Sequence, residues 1–153
     1  MITARYATPT RSPAENAAVG EFVSREIWGV VGQFGPHASM GVYDGDRLIA
    51  GTVYHNWHET SGVMELSSAS TSKRWLQPKV INAMFSFPFD LMDAQMVVLR
   101  VSERNKTMVS IAARFGFEGV LIPRLRGRDE AEWIFTLTDD AWRETPVAKR
   151  YRT

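Results

Sequence analysis

The chain contains no cysteine, which excludes a disulfide framework, a thiolate zinc site and a cysteine nucleophile. No apolar run approaches the ~18 residues needed to span a bilayer; Met96-Val97-Val98-Leu99 is representative of the longest. The opening Met1-Ile2-Thr3-Ala4-Arg5 does not read as a secretory signal, so a cytoplasmic protein without a membrane span is expected. Internal repeats, low-complexity tracts and linkers are absent, and 153 residues suit one domain, 1–153. With 44% hydrophobic and 11% aromatic residues, disorder is excluded as well.

The net charge is +1, yet residues 1–72 carry four arginines against seven acidic residues, and residues 73–153 carry fourteen basic against ten acidic. A polyanion would bind the second half, although a split of this size is also ordinary in a solvated surface. Ser12-Pro13-Ala14-Glu15 reads as a capping box with proline at the first helical position. Val19, Phe22, Val23 and Ile27 follow at helical spacing and predict a helix over 13–28, after a short strand in 1–8 and before a loop over 29–36. Asp44-Gly45 suits a tight hairpin turn between strands at 40–43 and 47–56, and 58–62 is a second turn before a strand at 63–69. A helix carrying Trp75, Leu76, Val80, Ile81, Met84 and Phe85 should start between Arg74 and Gln77 and end at Phe87-Pro88-Phe89. A buried strand over 96–102, a helix capped by Asn105 and stopped by Gly116, and strands over 120–124 and 132–138 complete the chain. This order predicts an α/β (α+β) domain with one mixed sheet and flanking helices, and 143–153 reads as a loosely ordered basic tail.

Asn105 opens a helix that finishes Arg114-Phe115-Gly116-Phe117-Glu118-Gly119. Within this order of elements it resembles the GCN5-related N-acetyltransferase (GNAT) family over nearly the whole chain. The run from Arg74-Trp75 to Phe87-Pro88-Phe89 looks like small GNAT-like proteins of phages and prophages. The resemblance implies a mostly antiparallel sheet with splayed fourth and fifth strands, acetyl-CoA as donor and a primary amine as acceptor; dimers are common in the family, so a homodimer is compatible with it, while the oligomeric state is not read from the sequence. It assigns donor binding to Ser70, Lys73, Arg74, Trp75, Leu76, Gln77 and Lys79, with Asn105 on the pantetheine or the helix end. Elementary electrostatics points the same way: a helix start attracts phosphate, and Lys73, Arg74 and Lys79 add charge. Two departures stand out. The segment Arg74-Trp75-Leu76-Gln77-Pro78-Lys79 has none of the glycines with which the family's loop approaches phosphate, and Ala112 stands where many members carry a tyrosine as general acid.

A primary amine with a pKa of about 10.4 is neutral only about once in 2,500 molecules at pH 7, so attack on a thioester needs a base. Glu65 interrupts the apolar strand Val63-Met64-Glu65-Leu66 and shares a face with Val63, Ser67 and Ala69, which makes it the first candidate; an exposed strand carboxylate fits the same pattern. His55, with an ordinary pKa of about 6.5, is the second. His55 and His58 lie three apart and would face opposite sides of a strand, so a shared metal is not expected. A backbone N–H near Ser67–Ser70 would polarise the thioester oxygen, and Trp57, beside a hairpin turn, would stand at the acceptor mouth. Two rivals stay open: a non-catalytic CoA- or partner-binding module, and a phage-type modifier of a nucleic-acid base, for which the basic 143–152 segment and the positive second half would supply contacts.

Overall fold

The computed structural model describes residues 1–152. Its elements are β1 (Ile2–Ala7), α1 (Pro13–Trp28), β2 (His37–Asp44), β3 (Arg47–His58), β4 (Val63–Ser70), α2 (Pro78–Ser86), β5 (Met96–Ser102), α3 (Lys106–Phe115), β6 (Glu118–Ile122), β7 (Glu132–Thr138), α4 (Asp139–Arg143) and α5 (Pro146–Tyr151). The strands form one sheet in the order β1-β2-β3-β4-β5-β7-β6, in which β4 and β5 run parallel and the other neighbours antiparallel. This is the α+β class expected, with the helices divided between two faces.

The register decides which side chains share a face. Gly51, Val53 and His55 of β3 pair with Ala69, Ser67 and Glu65 of β4, so these six point the same way, toward α1. A Cβ on Gly51 would come within 2.7 Å of Val19 and 2.9 Å of Val23, so this glycine is what lets α1 lie close on the sheet. The opposite face carries Met40, Val42, Tyr54, Met64, Leu66, Val97, Leu99, Phe135 and Leu137, buried under α2, α4 and α5 with Val80, Phe85 and Trp142. α1 reaches only as far as β4, so Val98 and Arg100 of β5, with the β7 and β6 residues beside them, lie on a part of that face it leaves open.

Local signals were met or redirected for identifiable reasons. Gly29 and Gly116 end α1 and α3 at φ of +75° and +113°. The capping box at Ser12 does not form: its hydroxyl accepts from the Thr8 N–H at 3.0 Å, and Glu15 turns to Arg5 at 3.1 Å and to the Tyr43 hydroxyl at 3.0 Å. α2 starts at Pro78 itself, one residue beyond the expected range, since proline needs no N–H partner at the first helical position. Pro88 does not end the helix either; the chain continues as a π-helical turn over Phe87–Leu91. Pro88 has no N–H to give Met84 O, its α-helical acceptor, and the Tyr54 hydroxyl donates to that carbonyl at 2.7 Å; the Tyr6 hydroxyl donates to Ala83 O one residue earlier.

The segment expected to be a loose tail holds α5, whose N-cap Thr145 accepts from the Ala148 N–H at 3.2 Å, and both residues are buried; Thr153 lies outside the described residues. Among the described residues no helix is long and apolar enough to cross a membrane.

Candidate functional site

The β4–β5 ladder runs only from Val63↔Met96 to Leu66↔Leu99. Past those pairs Ser67–Ser70 and Arg100–Ser102 separate, and a cleft of about 880 Å³ opens between the two strands. The β5-facing backbone groups of β4 beyond Leu66 have no ladder partner there, and so remain available to a polar ligand atom. Toward α2 and α3 the cleft is lined by Trp75, Leu76, Ile81, Met84, Met108, Ile111 and Phe115, a nearly continuous apolar wall. Toward the end of α1 it is polar and charged, with Glu26, Trp28, Arg100, Arg104, Arg126 and Glu130.

Strand register brings the two candidate bases together. His55 pairs directly with Glu65, and its Nε2 lies 3.6 Å from Glu65 Oε2 and 2.9 Å from Ser67 Oγ. Asn56 donates to the other Glu65 oxygen at 3.0 Å, which leaves the carboxylate turned toward the imidazole. His55 is 6% exposed, with Phe34 edge-on at 4.9 Å between ring centroids. Burial pushes its pKa below the ordinary value; the Glu65 carboxylate opposes that shift, and His37 and Arg100 reinforce it. A neutral imidazole with a free lone pair at pH 7 is the form that accepts a proton.

The residues expected to hold the donor divide into two groups. Ser70, Trp75, Leu76 and Asn105 line the cleft, whereas Lys73, Arg74, Gln77 and Lys79 do not. Arg74 is 68% exposed and paired with Asp44 at 3.3 Å. The Ser70 hydroxyl is engaged locally, donating to Ser72 O at 2.6 Å and accepting from the Ser72 N–H at 2.9 Å. Asn105 caps α3 through Oδ1, which accepts from the Met108 N–H at 3.3 Å. The α2 start offers fewer free donors than a glycine-rich loop: Pro78 has none, and the Val80 and Ile81 N–H groups both bond to Gln77 O at 2.9 Å. For a CoA thioester the apolar wall fits a pantetheine arm, while a pyrophosphate would depend on lysine and arginine side chains more than on backbone.

Sequence reading passed over the charged wall. Glu132, buried in β7, accepts from Arg100 Nε at 2.8 Å and from Arg126 Nη1 at 2.7 Å, and Glu130 pairs with Arg104 at 3.2 Å and receives the Ser102 hydroxyl. Arg126 and Glu130, four apart, were the visible signal, but Arg100 joins them only through strand pairing. Trp57 packs against the core, and Trp28, 43% exposed, is the tryptophan at the polar end of the cleft. Among the described residues no group of three or more histidines and acids could hold a metal ion.

The sheet splays between β4 and β5, its only parallel neighbours among the described residues, and solved acetyltransferases superpose on this fold. Spermidine N-acetyltransferase from Vibrio cholerae, in a dodecameric structure, superposes with a TM-score of 0.62 at 14% identity over 71% of this chain and 68% of that one. Ribosomal-protein-S5-alanine acetyltransferase from Vibrio fischeri does so with a TM-score of 0.59 at 14% identity, over 69% of this chain and 63% of that one. The likeness is one of fold, and the chain spans about two thirds of the length of these proteins. No protein-family model and no curated protein matches the chain.

Proposed function

We propose that the chain is an N-acetyltransferase that moves the acetyl group of acetyl-CoA to a primary amine by direct attack in a ternary complex. The observation that carries this reading is the His55–Glu65 pair, which does not itself line the splayed, partly apolar cleft but is joined to it through Ser67, a lining residue 2.9 Å from His55 Nε2. Bound acetyl-CoA supplies an activated acyl group as a thioester. Met108, Ile111 and Phe115 offer the pantetheine arm its apolar contacts, and Lys73, Arg74 and Lys79 offer charge to the phosphates once Arg74 leaves Asp44. The unpaired backbone of β4 beyond Leu66 lies where it can donate to the thioester oxygen. Glu65, 17% exposed and directed at the His55 Nε2, draws in an ammonium group, and the pair takes its proton before the nitrogen attacks. A homodimer belongs to the same proposal and is supported by the exposed edge strand β6, with Val120 at 64% and Leu121 at 43% exposure.

A non-catalytic CoA-binding module is the second reading. It is favoured by Ala112, which lines the cleft with no hydroxyl to protonate a leaving thiolate. The nucleobase-modifying reading keeps the exposed Trp28 beside Arg100 and Arg104 as its support.

The test is release of CoA thiol from acetyl-CoA across a panel of polyamines, amino acids, peptides and nucleosides. An amine-dependent rate that falls by about 100-fold or more in Glu65→Gln and His55→Gln is expected. Tight acetyl-CoA binding with no turnover on any amine would establish the binding module instead.

A further inference from the structure

Among the described residues, Ser67 is the one hydroxyl that both lines the cleft and hydrogen-bonds the buried imidazole. It lines the cleft, lies on the same face of β4 as Glu65, and holds its Oγ 2.9 Å from His55 Nε2. That distance is the one at which an imidazole activates a serine, and the position is the first residue past the last β4–β5 pair, where the strands part. Both Glu65 and Ser67 approach the same nitrogen, so Glu65 does not orient the ring through Nδ1 as the acid of a serine-hydrolase triad does. Its effect is different: a proton arriving at Nε2 lands 3.6 Å from a carboxylate, which favours the imidazolium so formed.

Resting on the acetyltransferase reading above, we infer that Ser67 is itself an acyl acceptor, so that with no amine in place the protein acetylates its own Ser67 and then hydrolyses the ester. In the first step Oγ forms a bond to the acyl carbon while its proton passes to Nε2. The carbon–sulfur bond breaks, and the imidazolium returns the proton to the departing thiolate, giving CoA thiol and an acetyl ester on Ser67. In the second, a water oxygen attacks the ester as its proton moves to Nε2. The bond from acyl carbon to Oγ breaks and Ser67 recovers the proton, releasing acetic acid. An amine bound at the polar mouth attacks the same ester in place of water, so the ester offers a second route to the same product. The geometry fits an acyl thioester of short chain, because Ser67 lies at the bottom of the splay, next to the last paired residues.

The experiment incubates the whole protein with acetyl-CoA and no amine, quenches it in acid and measures intact mass, with a thiol reagent following CoA release in parallel. The expected result is a gain of one acetyl group mapped to the peptide containing residue 67, removed by hydroxylamine as an ester is, and a burst of about one equivalent of CoA followed by slow hydrolysis. Ser67→Ala should fold with an unchanged melting temperature and lose both the label and the burst. Ser67→Cys should keep the acetyl as a thioester at the same residue, and His55→Gln should slow acylation by about 100-fold or more. CoA release that persists undiminished in Ser67→Ala overturns the inference. So does acetyl-CoA binding, seen by calorimetry, with neither a label at residue 67 nor Ser67-dependent release. Absence of calorimetric binding overturns the acetyltransferase reading and this inference with it, and is distinguished from the other failures by that measurement.

Discussion

At the scale of single residues, the proposed chemistry and a pH-dependent part of the stability both turn on the protonation of His55. Its pKa is lowered chiefly by burial, so near pH 6.5 the unfolded chain binds a proton that the folded one resists. The sign follows: stability from this group is complete above about pH 6.5 and is lost as pH falls from there through the lowered folded value. Urea unfolding at about pH 7.5 and about pH 5 should therefore show a loss of stability in acid that His55→Gln reduces. An equal loss in both proteins would mean that other groups carry it. By the same shift, the acid limb of kcat/KM for an amine acceptor should fall below the pH expected of an ordinary histidine. Much of this was visible in the sequence, because strand alternation already put Glu65 and Ser67 on one face. What alternation could not supply was the register that sets His55 opposite Glu65, since pairing depends on the turn at 58–62 and on the irregular step between His55 and His58.

At the scale of elements, local rules held wherever the deciding partner was close in sequence. α1, α3 and the first hairpin follow from periodicity, Asn105 and the glycines at 29, 45 and 116, whereas the parting of the strands after β4 was expected from the family resemblance alone. The exceptions depend on partners far along the chain. The capping box yields to Arg5 and Tyr43, and Pro88 is accepted inside a helical run because Tyr54 and Tyr6 satisfy the carbonyls of Met84 and Ala83. Tyr54 is 2% exposed, so Tyr54→Phe leaves the Met84 carbonyl buried with one fewer donor and should cost about 1–3 kcal/mol in equilibrium unfolding. Tyr6→Phe, on a residue 38% exposed, should cost less because water can replace the hydroxyl. Equal costs for the two would contradict this account of the π-helical turn. α2 meets the cleft just ahead of that turn, through Ile81 and Met84, so its seating also shapes the apolar wall.

At the scale of the whole molecule, the order of elements was enough to expect a mixed sheet and the family resemblance added its splay, while the charged wall of Arg100, Arg126, Glu130 and Glu132 was not legible. It assembles residues from β5, β7 and the connection between β6 and β7, which no local pattern joins. Of the residues proposed to hold the donor, Ser70, Trp75, Leu76 and Asn105 line the cleft, and Lys73, Arg74, Gln77 and Lys79 lie outside its lining. The cleft between β4 and β5 as a donor site is the central claim, and calorimetric titration with acetyl-CoA tests it most directly, comparing the native chain with Met108→Trp, which narrows the apolar wall, and Arg74→Glu, which reverses charge at the phosphate end. The account predicts micromolar binding that each substitution weakens by about tenfold or more, or about 1.4 kcal/mol. Binding unchanged in both variants, or no binding of acetyl-CoA by the native chain, would contradict it.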